Sequence, residues 1–361
     1  MDKYEEFRKI LDSNPAGAPQ SPAFDEILRI LFSEEDIDLL LQMNFSGKSS
    51  DDIADAVSLP SDKVYTMLES MADKGLVFHR DKGGKRLYGI LPTIPGLFEF
   101  PFMKGGGSSM HDKLAILWNE YKHDGQAEAF AGNPTPLMRV IPVGKSLDTK
   151  NVVYSYDEAA TIINNADYIA LSECACRVSL KKCDKPTDVC LIFGYIGKYL
   201  VERGFAKEAG KDEALQALDR AEKAGLVHSS TNTKEGAGVI CNCCSCCCTI
   251  LRGRLELGYK NSFAPSRFAA YSDSSTCTGC RICIDERCPA KAIELNESNT
   301  AVVDEDKCIG CGLCVSGCPS TAMRLIDRKE VIETPANGQE LGFKVLSEKG
   351  KLQAFMANLK K

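Results

Sequence analysis

Cys277-Thr-Gly-Cys280-Arg-Ile-Cys283 and Cys308-Ile-Gly-Cys311-Gly-Leu-Cys314 are two copies of one cysteine triplet near the end of the sequence. Cys288-Pro289 follows the first triplet, and Cys318-Pro319 follows the second. Three thiolates at two-residue intervals can surround one corner of an iron–sulfur cube, while the cysteine before proline is held away to reach the other cube. The spacing therefore predicts two [4Fe-4S] clusters that share eight cysteines.

This stretch resembles the bacterial-type two-cluster ferredoxin domain over residues 272–327. By the crossed pattern of that family, one cluster would be held by Cys277, Cys280, Cys283 and Cys318. The other would be held by Cys308, Cys311, Cys314 and Cys288. Four residues separate Cys283 from Cys288, where the family has three, and we expect a small bulge there. Two zinc sites are the alternative, but zinc ligands usually come as two C-x-x-C pairs.

The whole chain has the size and composition of a protein with two or three domains. It has 361 residues, of which 44% are apolar, and a formal charge of −6, which gives no general attraction to nucleic acid or anionic membrane. There is no run of 18 apolar residues and no signal peptide at the start, so a soluble cytoplasmic protein is expected. Eighteen cysteines spaced for metal in such a chain predict ligands rather than disulfides, and favour an anaerobe.

The N-terminal third predicts a leader over residues 1–23 and a winged-helix domain over residues 24–102. Residues 12–22 are too rich in proline to form a helix, and packing is expected to begin at Phe24. Helices are predicted over residues 34–43, 51–57 and 61–74, followed by strands at 76–78 and 86–90. This order resembles the helix-turn-helix domains of bacterial regulators over residues 24–92.

The charge of this domain argues against DNA binding. Residues 24–100 contain 8 Lys and Arg against 14 Asp and Glu, whereas phosphate contacts need a basic surface. The hairpin alone is basic, with Arg80, Lys82, Lys85 and Arg86. A protein-docking or scaffold role is therefore favoured.

A flexible linker is predicted over residues 103–110, followed by a cysteine-rich middle domain over residues 111–271. Ser155 and Glu158 predict a capping box for a helix that precedes a buried strand at 168–171. Helices are expected at 111–121, 191–201 and 212–224, and a second winged-helix-like unit at the end of the domain. His228 is interpreted as structural, with a ligand or proton-donor role as the alternative. His111 and His123 show no ligand pattern.

Ten cysteines of the middle domain are predicted metal ligands. They are Cys174, Cys176, Cys183, Cys190, Cys241, Cys243, Cys244, Cys246, Cys247 and Cys248. Successive side chains on an extended chain point to opposite sides, so alternate residues of 241–248 could serve two sites. Two further cubes, one cube with a spare redox-active thiol group, and zinc or a larger unusual cluster all remain open.

Several cations follow Cys176, and we expect them to make reduction of a nearby anionic cluster easier. They are Arg177, Lys181, Lys182 and Lys185. The combination of a Cys-x-Cys-Arg segment with a polycysteine stretch is similar to uncharacterised iron–sulfur proteins of anaerobes.

The sequence thus predicts an α+β multidomain protein with a ferredoxin domain at 272–330 and a helical tail at 331–361. Three or four [4Fe-4S] clusters are expected in all, and no catalytic residue is assigned. The favoured function is single-electron transfer between redox partner proteins, without membrane insertion and with the oligomeric state open. A redox-responsive winged-helix regulator and an oxidoreductase with a catalytic polycysteine site are the alternatives. No nucleotide or flavin motif is evident.

Overall fold

The computed structural model describes residues 2–147 and 158–360. Helices and strands are mixed along this part of the chain, which confirms the α+β class. No helix within these ranges has the length and apolar character needed to cross a bilayer. Ser155, half of the predicted capping box, lies outside the described residues.

The N-terminal unit consists of helices and one small antiparallel sheet. Its helices are α1 (Lys3–Asp12), α2 (Pro22–Leu31), α3 (Glu34–Leu40), α4 (Ser50–Val57), α5 (Ser61–Asp73) and α6 (Glu99–Met103). Its strands are β1 (Lys48–Ser49), β2 (Val77–Lys82) and β3 (Lys85–Ile90), in the order β1-β3-β2. The predicted three helices and hairpin are therefore present, with ends that differ by a few residues.

Helix α1 lies in the predicted leader, so the expectation that packing begins at Phe24 is wrong. Phe7 and Leu11 are 1% and 0% exposed, and the helix packs against α2 and α3. The side chain of Asp2 caps it by accepting a hydrogen bond from Tyr4 N. The proline-rich residues that follow this helix do lie between helices. Their presence made the apolar face of α1 hard to recognise in the sequence.

The middle region is built around one six-stranded antiparallel sheet. Its helices are α7 (Ser109–Tyr121), α8 (Ala127–Ala131), α9 (Ala159–Asn165), α10 (Ala175–Leu180), α11 (Gly194–Glu202), α12 (Lys211–Lys223) and α13 (Thr249–Leu255). Its strands are β4 (Met138–Val140), β5 (Ile169–Glu173), β6 (Asp188–Phe193), β7 (Lys207–Glu208), β8 (Val227–Thr231) and β9 (Val239–Cys243). They are ordered β4-β8-β9-β6-β5-β7.

Two secondary-structure predictions for this region need correction. The expected helix at 191–201 is wrong at its start, because the apolar run up to Phe193 completes strand β6 and the helix begins at Gly194. A buried strand and a buried helix look alike in a short apolar run. The predicted helix-then-hairpin order of α12, β8 and β9 is present, but the hairpin lies inside the large sheet rather than in a separate winged unit.

The two faces of the six-stranded sheet have different surroundings. Leu171, Leu191 and Ile240 pack in a cluster that also contains buried residues of α9 and α12. Ala170 and Ile192, which alternate with them, belong to a core shared with the N-terminal unit. Tyr199 of α11 fixes that contact, because its hydroxyl donates to Val77 O at 2.8 Å and to Ala72 O at 3.1 Å.

The C-terminal part contains two short antiparallel strand pairs and a helical tail. Strand β10 (Phe268–Ser272) pairs with β13 (Met323–Asp327), and β11 (Ile293–Leu295) pairs with β12 (Ala301–Val303). The helices are α14 (Leu313–Ser316), α15 (Gly338–Glu348) and α16 (Leu352–Leu359). The tail docks on the N-terminal unit through Lys351, whose Nζ lies 2.7 Å from Asp12 Oδ1.

Candidate metal centres

The eight ferredoxin cysteines form two groups, and each group lines its own cavity. The first cavity is lined by Cys277, Cys280, Cys283 and Cys318. The second is lined by Cys288, Cys308, Cys311 and Cys314. This is the crossed grouping that the resemblance to two-cluster ferredoxins implies, and each set has the four cysteines that one [4Fe-4S] cluster would need. That each set binds a cluster stays a prediction.

Backbone N–H groups lie close to the sulfur atoms in both cavities. Ala301 N on strand β12 donates to Cys277 Sγ at 3.3 Å. Ala292 N donates to Cys288 Sγ at 3.3 Å. Hydrogen bonds of this kind stabilise ligating thiolates and tune the reduction potential of a bound cluster.

One turn of π-helix at Cys283–Arg287 absorbs the extra residue of the first loop. In the second group the shorter loop forms the α-helical turn α14. A π-helical turn closes its hydrogen bond over one more residue than an α-helical turn does. The predicted bulge is therefore present, and Cys288 still lines the second cavity.

Arg287, at the end of the π turn, joins the ferredoxin segment to helix α12. Its Nε donates to Leu313 O at 3.0 Å, and its Nη2 donates to Ser316 Oγ at 3.1 Å. Its Nη1 donates to Glu222 O at 3.2 Å and to Lys223 O at 3.3 Å. Carbonyls in the last turn of a helix lack helical partners, so the guanidinium caps α12. Nothing in the local sequence signals this long-range contact.

The two ferredoxin groups differ in their exposure to solvent. Cys280 of the first group is exposed, whereas Cys308, Cys311 and Cys314 of the second are buried. Burial raises the pKa of Cys311 to about 12. The thiolate form therefore depends on positive charge nearby, which bound iron would supply.

Four cysteines of the middle region form a compact set that we name the four-thiol group. It consists of Cys183, Cys244, Cys246 and Cys247. All four sulfur atoms lie within 4.8 Å of one another. Cys183 and Cys246 keep partial exposure while Cys244 and Cys247 are buried, so the group lies close to the protein surface.

The other six cysteines of the middle region form a closed ring that we name the six-thiol group. Each thiol interacts with two neighbours, in the order Cys174, Cys176, Cys248, Cys243, Cys241, Cys190 and back to Cys174. The end of β5 and helix α10 position the first two cysteines. Strand β6 carries Cys190, strand β9 carries Cys241 and Cys243, and Cys248 is the N-cap of α13.

The polycysteine stretch is thus divided between two sites, but not by strand alternation alone. Cys241 and Cys243 share one face of β9, as the period of a strand requires. The strand ends at Cys243, and the following turn directs the sulfur atoms of Cys244, Cys246 and Cys247 to the four-thiol group. Two sites were one of the alternatives that the sequence left open, and the division between six and four cysteines was not predicted.

Arg177 lies between the two thiol groups and is 2% exposed. Its Nη1 donates to Asn242 O at 2.8 Å, and its Nε and Nη2 have no hydrogen-bonded oxygen or nitrogen partner within the described chain. Cys174, Cys190 and Cys244 are the groups that act on its charge. A buried cation needs negative partners, so Arg177 serves as a counter-ion to thiolates of both groups.

In each thiol group, the surroundings favour the thiolate form of one cysteine. Hydrogen bonds from Cys176 and Cys190 hold the pKa of Cys174 well below its usual value, with a contribution from Arg177. A hydrogen bond from Cys247 lowers the pKa of Cys244 to about 4, and Cys246 and Arg177 add to this. Thiolates are the form that binds metal.

The remaining polar residues singled out in the sequence have structural surroundings. His228 is 3% exposed, and its Nδ1 lies 2.5 Å from Asn242 Oδ1. Burial lowers the pKa of His228, which favours the neutral, structural form. Lys181 pairs with Asp112 at the surface at 3.2 Å. His111 Nδ1 lies 2.7 Å from Ser108 Oγ at the start of α7.

Comparisons with known proteins support the ferredoxin-type segment. Residues 276–322 match the model of the 4Fe-4S dicluster domain. The chain is 45% identical over 49 residues to one subunit of the ion-translocating oxidoreductase complex of Methanosarcina acetivorans, a match that covers 14% of this chain and 18% of that protein. The chain thus spans less than a fifth of that relative. No solved structure matches the chain. Iron–sulfur electron transfer is the activity that these similarities support.

Proposed function

We propose that this protein carries single electrons from a redox partner protein, through two ferredoxin-type [4Fe-4S] clusters, to the six-thiol group of the middle region. The observation that carries the proposal is the exposure of the first group. Cys280 faces solvent, whereas three of the four cysteines of the second group and four of the six cysteines of the six-thiol group are buried. A partner would deliver electrons at the exposed end.

The described contacts support a continuous path between these sites. The thiol of Cys283 in the first group acts on that of Cys314 in the second, so the two clusters would be neighbours. Cys248 of the six-thiol group is the N-cap of helix α13. Near its other end, Arg254 Nη2 donates to Asp306 O at 3.0 Å, two residues before Cys308. Seven helical residues span roughly 10 Å, which makes α13 a short link.

Hydrogen bonds from the middle region hold the inner ferredoxin loop in place. Val143 N donates to Cys311 O at 2.9 Å, and Ser146 Oγ donates to Gly312 O at 2.6 Å. Both donors follow strand β4 of the six-stranded sheet. The ferredoxin segment is therefore joined to the sheet that carries the other thiols, which favours a fixed relay over a tethered, mobile one.

The sulfur spacing of the four-thiol group favours a single metal ion rather than a further cube. Cys183 Sγ lies 3.9 Å from the sulfur atoms of Cys244 and Cys247. With metal–sulfur bonds of about 2.3 Å, the edge of a tetrahedral site is about 3.8 Å. We propose that this group holds one zinc or iron ion beside Arg177.

We expect Cys183→Ala to remove about one metal ion per chain, because three thiolates hold a tetrahedral ion much less tightly than four. Metal analysis of zinc and iron in anaerobically purified protein measures this. Asp184→Ala, which changes an exposed neighbour, is the matched control and should keep all metal. Loss of about four iron atoms from Cys183→Ala would show a cube at this site and contradict the single-ion proposal.

The contacts of the N-terminal unit favour a protein-docking role over DNA binding. Helix α5 of its winged-helix-like arrangement uses Glu69 and Asp73 to bind Arg203, the residue after helix α11, each at 2.8 Å. Arg86 of the hairpin pairs with Glu202 at 2.9 Å. Acidic side chains of α5 and one of the four basic side chains of the hairpin are thus engaged in ion pairs within the chain. We propose that this unit positions the middle region and a partner protein.

The test of the relay is spectroscopy on the full chain purified without oxygen. We expect at least eight iron atoms per chain and two paramagnetic signals that appear on reduction with dithionite. Cys280→Ala should remove the signal of the exposed cluster and leave the buried one, because each cube depends on its own four ligands. Ser298→Ala, which changes an exposed residue of the same segment, should keep both signals. A colourless protein that loses no absorbance on reduction would overturn the proposal.

A further inference from the structure

The six-thiol group faces a large cavity that we name the chamber. Its volume is about 570 Å³, far more than the space enclosed by either group of ferredoxin cysteines. The six thiols form only part of its wall, so space for a further molecule would remain beside metal bound to them.

The walls of the chamber are mainly apolar and come from both structural units. Phe78 of β2 and Phe100 of α6 belong to the N-terminal unit, and Ile192 of β6 and Ile196 of α11 belong to the middle region. Tyr195 also lines the chamber and is 58% exposed, which places it at the mouth. Protein interiors are close-packed and rarely leave apolar space of this size, so the chamber is not a packing defect.

All six thiols of the ring line the chamber. Cys176 and Cys241 are partly exposed residues, so the ring is not closed off from solvent on every side. In the ferredoxin groups, by contrast, four cysteines surround each small cavity. Six thiolates exceed the four ligands of one cube and fall short of the eight that two cubes need. Metal bound to this ring would therefore lie at one wall of an open space.

We propose that the chamber binds a neutral, apolar organic molecule in direct contact with the six-thiol group. Ligand sites typically have volumes of about 300–1,000 Å³ and apolar walls with few polar groups, which the space beyond the thiols matches. Among the polar groups, Glu99 accepts a hydrogen bond from Gly96 N at 2.8 Å, and Ser229 Oγ lies 3.5 Å from Cys243 Sγ. The proposal deepens the relay and rests on it, because it names the class of molecule at the inner end.

Equilibrium dialysis of the full chain against 1-aminoanthracene, without oxygen, tests the proposal. This probe is a neutral aromatic molecule, and we expect saturable binding at one site per chain. Ile196→Trp places a larger side chain in the chamber and should weaken binding at least tenfold. Ile116→Trp adds the same side chain on α7, where Ile116 is 61% exposed, and should leave binding unchanged. Val239→Trp fills the chamber from strand β9 and covers the case in which Ile196→Trp fails to fold.

A second measurement tests whether the bound probe contacts the thiol ring. The probe should change the paramagnetic spectrum of metal bound at the ring and leave the two ferredoxin signals as they are. Absence of saturable binding, equal binding by the chamber-filling variants, or binding without any spectral change would each overturn the proposal. Probe binding in samples that lack ferredoxin signals would instead refute the relay and leave the chamber as a binding site, so the two failures are distinguishable.

Discussion

Replacing Gly310 by alanine is expected to abolish the buried ferredoxin cluster. Gly310 has φ +69°, and an added Cβ would overlap the backbone oxygen of Phe268 and the hydroxyl of Ser266. The left-handed conformation costs an alanine about 1–2 kcal/mol, and overpacking adds about 1–3 kcal/mol. The loop carries Cys308 and Cys311 on either side of this glycine, so relieving the overlap moves two ligands. Iron analysis should show a loss of about four atoms per chain.

Gly84→Ala is the matched control for this prediction. Gly84 has φ +75°, and a Cβ there would have no neighbour within 4 Å. Gly84→Ala should therefore lose only the conformational part of the folding free energy, about 1–2 kcal/mol. The variant should keep all iron. Urea unfolding measured beside the iron content separates the two effects. If Gly310→Ala retained the full iron content and both signals, the tight packing of this loop would not matter for the cluster.

The grouping of the ferredoxin cysteines could be predicted from sequence because each triplet is a local pattern and the resemblance to two-cluster ferredoxins implies how the Cys-Pro cysteines cross between the groups. The extra residue before Cys288 could be foreseen as a bulge. The helices and hairpin of the N-terminal unit follow from apolar periodicity for the same reason. Helix α1 was missed even though Phe7, Ile10 and Leu11 lie on one helical face, because the proline-rich residues after it suggested an unpacked segment.

The division of the middle cysteines could not be predicted, because it depends on strand pairing between distant segments. Cys190 and Cys241 belong to one ring only because β6 and β9 are neighbours in the sheet. The turn after Cys243 then separates thiols that are adjacent in sequence. Arg287 illustrates the same limit, since it caps a helix that ends 64 residues earlier in the chain. Long-range contacts of this kind leave no periodic signal in the sequence.

Replacing Arg177 by methionine is expected to destabilise the middle region more than any other single charge change. The guanidinium is buried between the two thiol groups, with one hydrogen bond to Asn242 O. Removing one partner of a buried ion pair costs about 3–5 kcal/mol, because the remaining charge is left uncompensated. The thiolates favoured at Cys174 and Cys244 would lose their shared cation, so both metal sites should lose occupancy. Urea unfolding and metal analysis without oxygen measure the two effects.

Two further variants show which property of Arg177 matters. Arg177→Lys keeps the charge but not the planar fork, and should recover part of the stability and metal content. Lys181→Met removes a nearby cation that pairs with Asp112 at the surface. An ion pair there contributes about 0–1 kcal/mol, so this variant should lose no more stability than that.

Where metal remains in Arg177→Met, its reduction potential should fall by tens of millivolts, since about 1.4 kcal/mol corresponds to 59 mV for one electron. Unchanged stability and potential in Arg177→Met would mean that the thiol groups carry no negative charge for the guanidinium to balance.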